Sequence, residues 1–233
     1  MHIVFIADFF SFLRYNTCMK IYLATNNKNK KYEMTEILAP HAVVIPSDEG
    51  IGFNPDETGT TFYENSLIKA RALYEIVRCP VIADDSGICV DALGGRPGIY
   101  SSRYTGASLQ NGKELSQKEK NALLIAELND ALLRGVDASR FLHGERSAHY
   151  TCAMVLYLGN DRLYVAEETL EGAIVNSMEN ARGEHGFGYD PIFLLPECNR
   201  TVAELSDDEK NAISHRGKAG RAMQQLIRTI ALE

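Results

Sequence analysis

Two adjacent carboxylates, Asp84 and Asp85, are bracketed by the apolar runs Val81-Ile82-Ala83 and Ile88-Cys89-Val90. Side by side in apolar surroundings they repel each other, and a proton or a cation has to offset that repulsion. A bound divalent ion would explain the pair. Glu57, in Asp56-Glu57-Thr58-Gly59, could complete an oxygen ligand set, because magnesium commonly takes one or two carboxylates and fills its other positions with water and substrate phosphates. The same acids also read as a solvated turn with an Asx cap. Thr25-Asn26-Asn27-Lys28-Asn29-Lys30 stands where a first strand gives way to a first helix. There backbone N–H groups and the positive end of the helix dipole converge, which makes a phosphate cradle with Lys30 as an added point charge. The Walker pattern G-x-x-x-x-G-K-[ST] is absent, and an Asn-rich turn has a purely structural reading too.

Gly186-Phe187-Gly188-Tyr189-Asp190-Pro191 gathers two aromatics, a carboxylate and two glycines, so a flat ring could stack while the backbone comes close to it. Its plainer reading is a Gly-rich turn leading into Ile192-Phe193-Leu194. Lys210 and Ser214-His215-Arg216 stand just ahead of, or at, the start of a last helix. Arg216 offers a planar fork of donors suited to a purine carbonyl or a phosphate, and an exposed basic helix start is the alternative. Lys69 is one helical lysine among many.

Those groups need a scaffold, and short β-rich runs alternating with helical periods predict an α/β architecture. Ile21 to Ala24 reads as a buried strand, followed by a helix with Met34, Ile37 and Leu38 on one face and a short strand over Ala42 to Ile45. Thr60 or Thr61 could cap a helix carrying Leu67, Ala70, Leu73 and Val77, ended by Cys79-Pro80. Val81 to Ala83 and Ile88 to Val90 read as two strands joined tightly through Asp84-Asp85-Ser86-Gly87. Residues 113–134 read as a helix closed by Gly135, and residues 136–147 as a polar loop. His149 to Leu158 and Arg162 to Thr169 form a predicted hairpin about Gly159-Asn160-Asp161, in what could be a second lobe. Ala219, Ala222, Met223, Leu226, Ile227 and Ile230 give a closing amphipathic helix from near Ser214.

The net charge of -7 argues against a general nucleic-acid binder, while a few local lysines still suffice for a small anionic substrate. Five scattered cysteines without a C-x-x-C pair favour free thiols in a reducing compartment, hence the cytoplasm, and a hard, oxygen-bound metal over zinc. No apolar run reaches the roughly 20 residues that span a bilayer. Residues 1–18 read as an N-terminal extension or a mis-called start, since Met19-Lys20 leads directly into the first strand; residues 19–233 form the domain.

In sequence order, Phe62-Tyr63-Glu64-Asn65 with Lys69-Ala70, Asp84-Asp85-Ser86-Gly87, Gly94-Gly95-Arg96-Pro97-Gly98 with Ser102-Arg103-Tyr104, Gly186 to Phe193, and Ser214-His215-Arg216 together resemble the inosine triphosphate pyrophosphatase, or Ham1-like, family over about Lys20 to Ile230. The resemblance implies an elongated two-lobed α/β fold, with a central mixed sheet flanked by helices, a substrate cleft between the lobes, and a homodimer. It implies hydrolysis of ITP, dITP and XTP to the monophosphate and pyrophosphate with Mg²⁺. It also implies roles for particular residues. Thr25, Asn26, Asn27, Lys28, Asn29 and Lys30 would cradle phosphates; Lys69 and Lys210 would contact the triphosphate or nearby groups, and Ser86 the substrate. Phe187, Gly188, Tyr189, Asp190, His215 and Arg216 would hold and read the base. Asp85 would be metal ligand and proton acceptor, Glu57 the second ligand and Asp84 a supporting carboxylate. Asn26 stands where many relatives have glycine, and the loop at 135–147 has no clear counterpart. A nucleotide-binding module without turnover would lack the three acids; a nuclease or phosphatase for large substrates would want a basic stripe. A pyrophosphatase for modified pyrimidines or standard nucleotides would not explain Ser214-His215-Arg216 with the Gly-Phe-Gly-Tyr-Asp run.

Overall fold

The structure, a computed structural model, describes residues 18–106 and 115–230. The extension at 1–18 therefore lies, Cys18 apart, outside the described residues, as does the expected start of a helix at 113. The described residues form two compact units, the first drawn from residues 18–85, 153–167 and 216–230, the second from residues 86–106, 115–152 and 168–215. Parallel and antiparallel pairings share one mixed sheet with strand order β2 (Ala42–Val44), β1 (Lys20–Leu23), β3 (Val81–Val90), β5 (Ser147–Tyr157), β6 (Leu163–Ile174), β7 (Phe193–Leu195) and β8 (Arg200–Thr201), and β4 (Arg96–Pro97) pairs with β3.

In the first unit β1 (Lys20–Leu23) is apolar and buried from Ile21 onward, as a strand covered on both faces must be. It pairs in parallel with β2 (Ala42–Val44), Ile21 opposite Val43, and with β3 (Val81–Val90), Leu23 opposite Ile82. Between them α1 (Lys28–Ile37) begins at Asn27, whose side chain accepts from the N–H groups of Asn29 and Lys30. The next helix, α2 (Phe62–Val77), starts on a reciprocal capping box: Thr61 accepts from the N–H of Glu64, and the Glu64 carboxylate accepts from the N–H of Thr61. It ends where Arg78 turns left-handed, at φ 52°, ahead of Cys79-Pro80. Ala70 and Leu73 of α2 pack with Tyr22, Val81, Ala83, Val155 and Tyr157. The last helix, α5 (His215–Ile230), lies close against α1, since a Cβ on Gly220 would stand 2.6 Å from Ile37.

In the second unit α3 (Gln117–Leu133) is capped by Ser116 with Glu119, and the chain leaves it through Gly135 at φ 87°. Leu124, Ile125 and Leu128 of α3 pack on Ile88, Val90, Ala148, Tyr150, Leu170 and Phe193. These sheet residues come from the second half of β3 and from β5 (Ser147–Tyr157), β6 (Leu163–Ile174) and β7 (Phe193–Leu195). Antiparallel pairing continues from β6 to β7 and on to β8 (Arg200–Thr201); β4 is the short Arg96–Pro97. The β5–β6 loop turns through Asn160 and Asp161, both at positive φ, the two-residue geometry that suits strand twist.

One expectation needs correction. Asp84-Asp85-Ser86-Gly87 is not a turn: β3 runs unbroken from Val81 to Val90, because each carboxylate finds cationic or amide partners and the backbone has no need to carry the acids into water. A separate helix, α4 (Asp207–Ile213), precedes the last one. Ser206 caps it with Glu209, and acids fill its first turn, while extended Ser214 separates it from α5.

Candidate functional site

Successive residues of a strand point to opposite faces, so Asp84 and Asp85 meet different neighbours. Both sit in the first unit. The Asp84 side chain is 0% exposed, with Oδ2 2.9 Å from Lys30 Nζ and 3.3 Å from Arg216 Nε. Arg216 Nη1 in turn lies 2.5 Å from Glu33 Oε2, so one buried guanidinium bridges two acids. Burial pushes the Asp84 pKa upward, but Lys30 and Arg216 outweigh it and hold the carboxyl far below the usual range. Asp84 is therefore a fixed anion.

Asp85 is held more lightly. Its Oδ2 accepts from Asn65 Nδ2 at 3.1 Å and its Oδ1 lies 3.4 Å from Lys69 Nζ. Burial raises its pKa above the ordinary carboxylate value, and Lys69 and Lys30 counter this only in part. Lys69 also reaches Glu57, at 3.2 Å. Burial would lower the Lys69 pKa, yet Asp85, Asp84 and Glu57 together raise it, so the ammonium stays charged. Asn65 and Lys69 are four apart on α2 and share a face. The other end of Asn65 accepts from the N–H of Gly59 at 2.9 Å, tying the segment after Glu57 to the strand that carries Asp85. There is no room for a larger residue at 59, where a Cβ would stand 2.7 Å from Asn65 Oδ1.

Glu57 and Asp85 present hard oxygen donors to one shared ammonium, and Asp84 Oδ1 is buried without a hydrogen-bond partner among the described residues. Among the described residues no three His, Cys, Asp or Glu side chains gather. This donor set fits an ion that leaves most of its positions to water and phosphate, as magnesium does, and not a closed zinc cage.

At the start of α1 the groups expected to cradle phosphate lie together. Thr25 Oγ1 accepts from the N–H of Asn27 at 3.1 Å, and Asn27 Oδ1 from those of Asn29 and Lys30. Asn27 thus occupies the donors an anion would use. Asn26 has an ordinary backbone, and its amide donates to the Phe53 carbonyl at 2.6 Å. Lys28 is exposed and Lys30 half-buried.

A second constellation belongs to the second unit. Asp190 is buried, its Oδ2 accepting from the N–H of Phe187 at 2.8 Å and from Lys210 Nζ at 3.0 Å, its Oδ1 from the Tyr150 hydroxyl at 3.1 Å. Burial raises its pKa against the opposing pull of Lys210. Gly186, at φ 74°, lets the loop close on this carboxylate: a Cβ there would stand 2.2 Å from Asp190 Oδ2. Phe187 is half-buried with Lys210 Nζ 4.5 Å from its ring centre. The Gly188 carbonyl accepts from Asn121 Nδ2 at 3.3 Å. Tyr189 is a core residue whose hydroxyl donates to the Ser101 carbonyl at 2.9 Å. His215 stacks on Tyr150, ring centres 4.8 Å apart and planes within 9°. Ser86 follows Asp85 on β3, half-buried.

The sequence-predicted residues thus fall into two groups. The first unit brings together Lys30, Asp84, Asp85, Glu57, Lys69 and Arg216; the second brings together Phe187, Asp190, Lys210 and His215. Arg216, expected to read a base, is a counter-ion of Asp84 in this geometry. Glu33, Asn65, Asn121 and Tyr150 went unassigned from sequence. Asn65 had a signal in its spacing from Lys69, and Glu33 in lying beside Met34 on an apolar helix face. Tyr150 reads only as an inward strand residue. The first group can hold phosphate oxygens and a hard cation and set a water against Asp85; the second offers an aromatic face with fixed donors at its edge.

The Ham1 family profile matches residues 21–226. A dITP/XTP pyrophosphatase of Treponema denticola is 47% identical over 210 residues, covering 90% of this chain and 99% of the relative. One from Bacillus subtilis is 40% identical over 207 residues, covering 88% and 95%. Among solved structures, a HAM1 protein from Coxiella burnetii superposes with a TM-score of 0.74 at 33% identity, covering 91% of this chain and 99% of that one.

Proposed function

From membership of the Ham1 family, to which this chain belongs, we propose that the protein hydrolyses dITP, XTP and ITP to the monophosphate and pyrophosphate, with Mg²⁺ held by Asp85 and Glu57. The observation that carries the chemistry is the unequal treatment of two neighbouring carboxylates. Asp84 is pinned as an anion by Lys30 and Arg216, whereas burial leaves Asp85 with a raised affinity for a proton. A carboxylate of raised pKa is the better proton acceptor, and environments that split a pair of acids commonly mark their separate roles.

In this reading Asp85 orients and deprotonates the attacking water. Lys30, Lys28 and the N–H groups at the start of α1 hold the phosphates, the phosphate oxygens replacing the Asn27 side chain as acceptor. Lys69 stays charged beside Asp85 and offsets negative charge developing on the phosphoryl oxygens. Attack at the α-phosphorus breaks its bond to the bridging oxygen, and pyrophosphate leaves as one piece. The metal, when bound, supplies further neutralisation of that charge.

Phe187 offers a stacking face, and Lys210, oriented by Asp190, stands with His215 as a donor near the base. Hypoxanthine and xanthine carry a carbonyl at C6 where adenine carries an amino group, so fixed donors accept the former and oppose the latter. An unpaired buried donor costs roughly 1–3 kcal/mol, about ten- to a hundredfold in rate. We further place the protein in the cytoplasm as a homodimer, acting on free nucleotides. All five cysteines are free, and among the described residues no helix is long and apolar enough to cross a membrane.

The test is pyrophosphate release from dITP, XTP, ITP, dATP and dGTP with and without Mg²⁺. Metal-dependent release favouring the first three is expected. Release of single phosphates, or equal turnover of dATP, would reject the reading.

A further inference from the structure

Tyr150 lies on β5, takes no part in the chemistry above, and touches both residues that fix the base-side donors. Its hydroxyl donates to Asp190 Oδ1 at 3.1 Å, and Asp190 through its other oxygen holds Lys210 Nζ at 3.0 Å. The flat of its ring lies against His215, 4.8 Å between centres and 9° between planes. On another side the ring meets Phe193 at 4.5 Å with a 35° tilt, which anchors it to the core between α3 and the sheet. The ring itself is buried. One rigid side chain therefore sets the carboxylate that aims a lysine and the plane in which an imidazole is presented.

Building on the proposed function, we propose that Tyr150 is a positioning residue for base discrimination, acting through Asp190 and His215 to keep the donors Lys210 and His215 in register with a carbonyl-bearing base edge. Lys210 has three N–H directions and a flexible stem; the bond to Asp190 selects one arrangement only if Asp190 itself cannot swing. Phe187 N–H and Lys210 both pull on Oδ2, and Tyr150 is the donor on Oδ1 that resists rotation of the carboxylate. Stacking does the corresponding work for His215 by fixing the plane of its ring against Tyr150. A donor a fraction of an ångström out of line favours the right base less and opposes the wrong one less, so fidelity is lost before turnover.

Two variants separate the contacts. Tyr150→Phe removes the hydroxyl and keeps the stack; Tyr150→Leu removes both. The quantity read is the ratio of kcat/KM for dITP to that for dATP. A purely structural role does not move it, because a reduced folded fraction scales both substrates alike. The ratio is expected to fall about three- to tenfold in Tyr150→Phe and further in Tyr150→Leu, with dITP turnover in Tyr150→Phe reduced less than the ratio. A ratio within twofold of wild type in Tyr150→Phe overturns the proposal, and that variant decides alone if Tyr150→Leu does not fold. The wild-type ratio is measured first: a value near one sinks the substrate reading itself, whereas a high wild-type ratio unchanged in Tyr150→Phe sinks only the role of Tyr150.

Discussion

Replacing either member of the acidic pair by asparagine is the same chemical change one residue apart, yet the two outcomes should differ in kind. Asp84→Asn leaves half-buried Lys30 and buried Arg216 without the anion that both of them contact. Breaking a buried pair from one side costs about 3–5 kcal/mol, and since Arg216 keeps Glu33 the lower end applies, about 3 kcal/mol. For a chain of this size that lowers Tm by about 6–12 °C. Asp85→Asn removes a charge that burial already disfavours, and Lys69 keeps Glu57, so stability should stay within about 1 kcal/mol of wild type. Turnover of dITP should nevertheless fall by at least about a hundredfold while nucleotide binding is largely kept, since the proton acceptor is gone. The pH dependence carries matching signs. Asp84 has its folded pKa below the ordinary 3.8, so its contribution to stability is present above that value and is lost as pH falls through the depressed one; the gap between wild type and Asp84→Asn should narrow in that acid range. Asp85 has its folded value raised above 3.8, so its contribution is present below the ordinary value and fades as pH rises through the raised one, and Asp85→Asn should gain on wild type across that window. Urea unfolding at several pH values, with pyrophosphate release on the same preparations, measures all of this. Equal loss of stability in both variants, or near-normal turnover in Asp85→Asn, would refute the division of roles.

Further tests follow from the geometry. Arg216→Ala should destabilise more than it changes the dITP to dATP ratio, because its guanidinium is engaged by Asp84 and Glu33; a collapsed ratio with unchanged Tm would return it to the base. Gly183→Ala should lower Tm much more than Gly94→Ala: both sit at positive φ, but a Cβ at 183 would stand 2.2 Å from the Ala203 backbone, while nothing lies within 4 Å at 94. Exposed Cys18 and Cys198 should alkylate within minutes at pH 8, whereas buried Cys152 and Cys89, the latter with its thiol pushed up to about 11 by burial, should label only on unfolding, as followed by intact mass. Thr61→Ala should cost about 1 kcal/mol in urea unfolding through loss of the capping box at α2.

Local chemistry was legible in the sequence wherever one segment decides it. The apolar run at Ile21, the helix start near Thr61, the Gly135 stop and the turn at Asn160-Asp161 each rest on neighbouring residues, and the structure has them where spacing placed them. The Asp-Asp-Ser-Gly segment misled because its composition is that of a turn, while the partners that keep it in a strand are remote: Arg216 lies 132 residues away. Helix α4 has seven residues, too few for an apolar period to declare itself, and only Ser206 with Glu209 marks its start. Among site residues, lysines and acids announce themselves by type. Tyr150 did not, since a tyrosine inside a strand reads as core and its partner Asp190 is 40 residues further on.

The unbroken strand β3 also makes the acidic pair a matter of parity. Which of two neighbouring aspartates is clamped and which is left basic depends on whether its position counts as odd or even from the paired start of the strand, where Tyr22 meets Val81. Deleting one residue between Val81 and Asp84 while the pairing at the start holds would carry each acid to the other face, Asp85 into the place of Asp84 against Lys30 and Arg216, and Asp84 into the place of Ala83 in the apolar cluster with Ala70 and Leu73. The composition of the strand would barely change, yet the clamped place would pass to Asp85 and the place beside Lys69 to Ser86. Both the face and the distance from the paired start thus matter, a constraint that no single substitution at either aspartate would reveal.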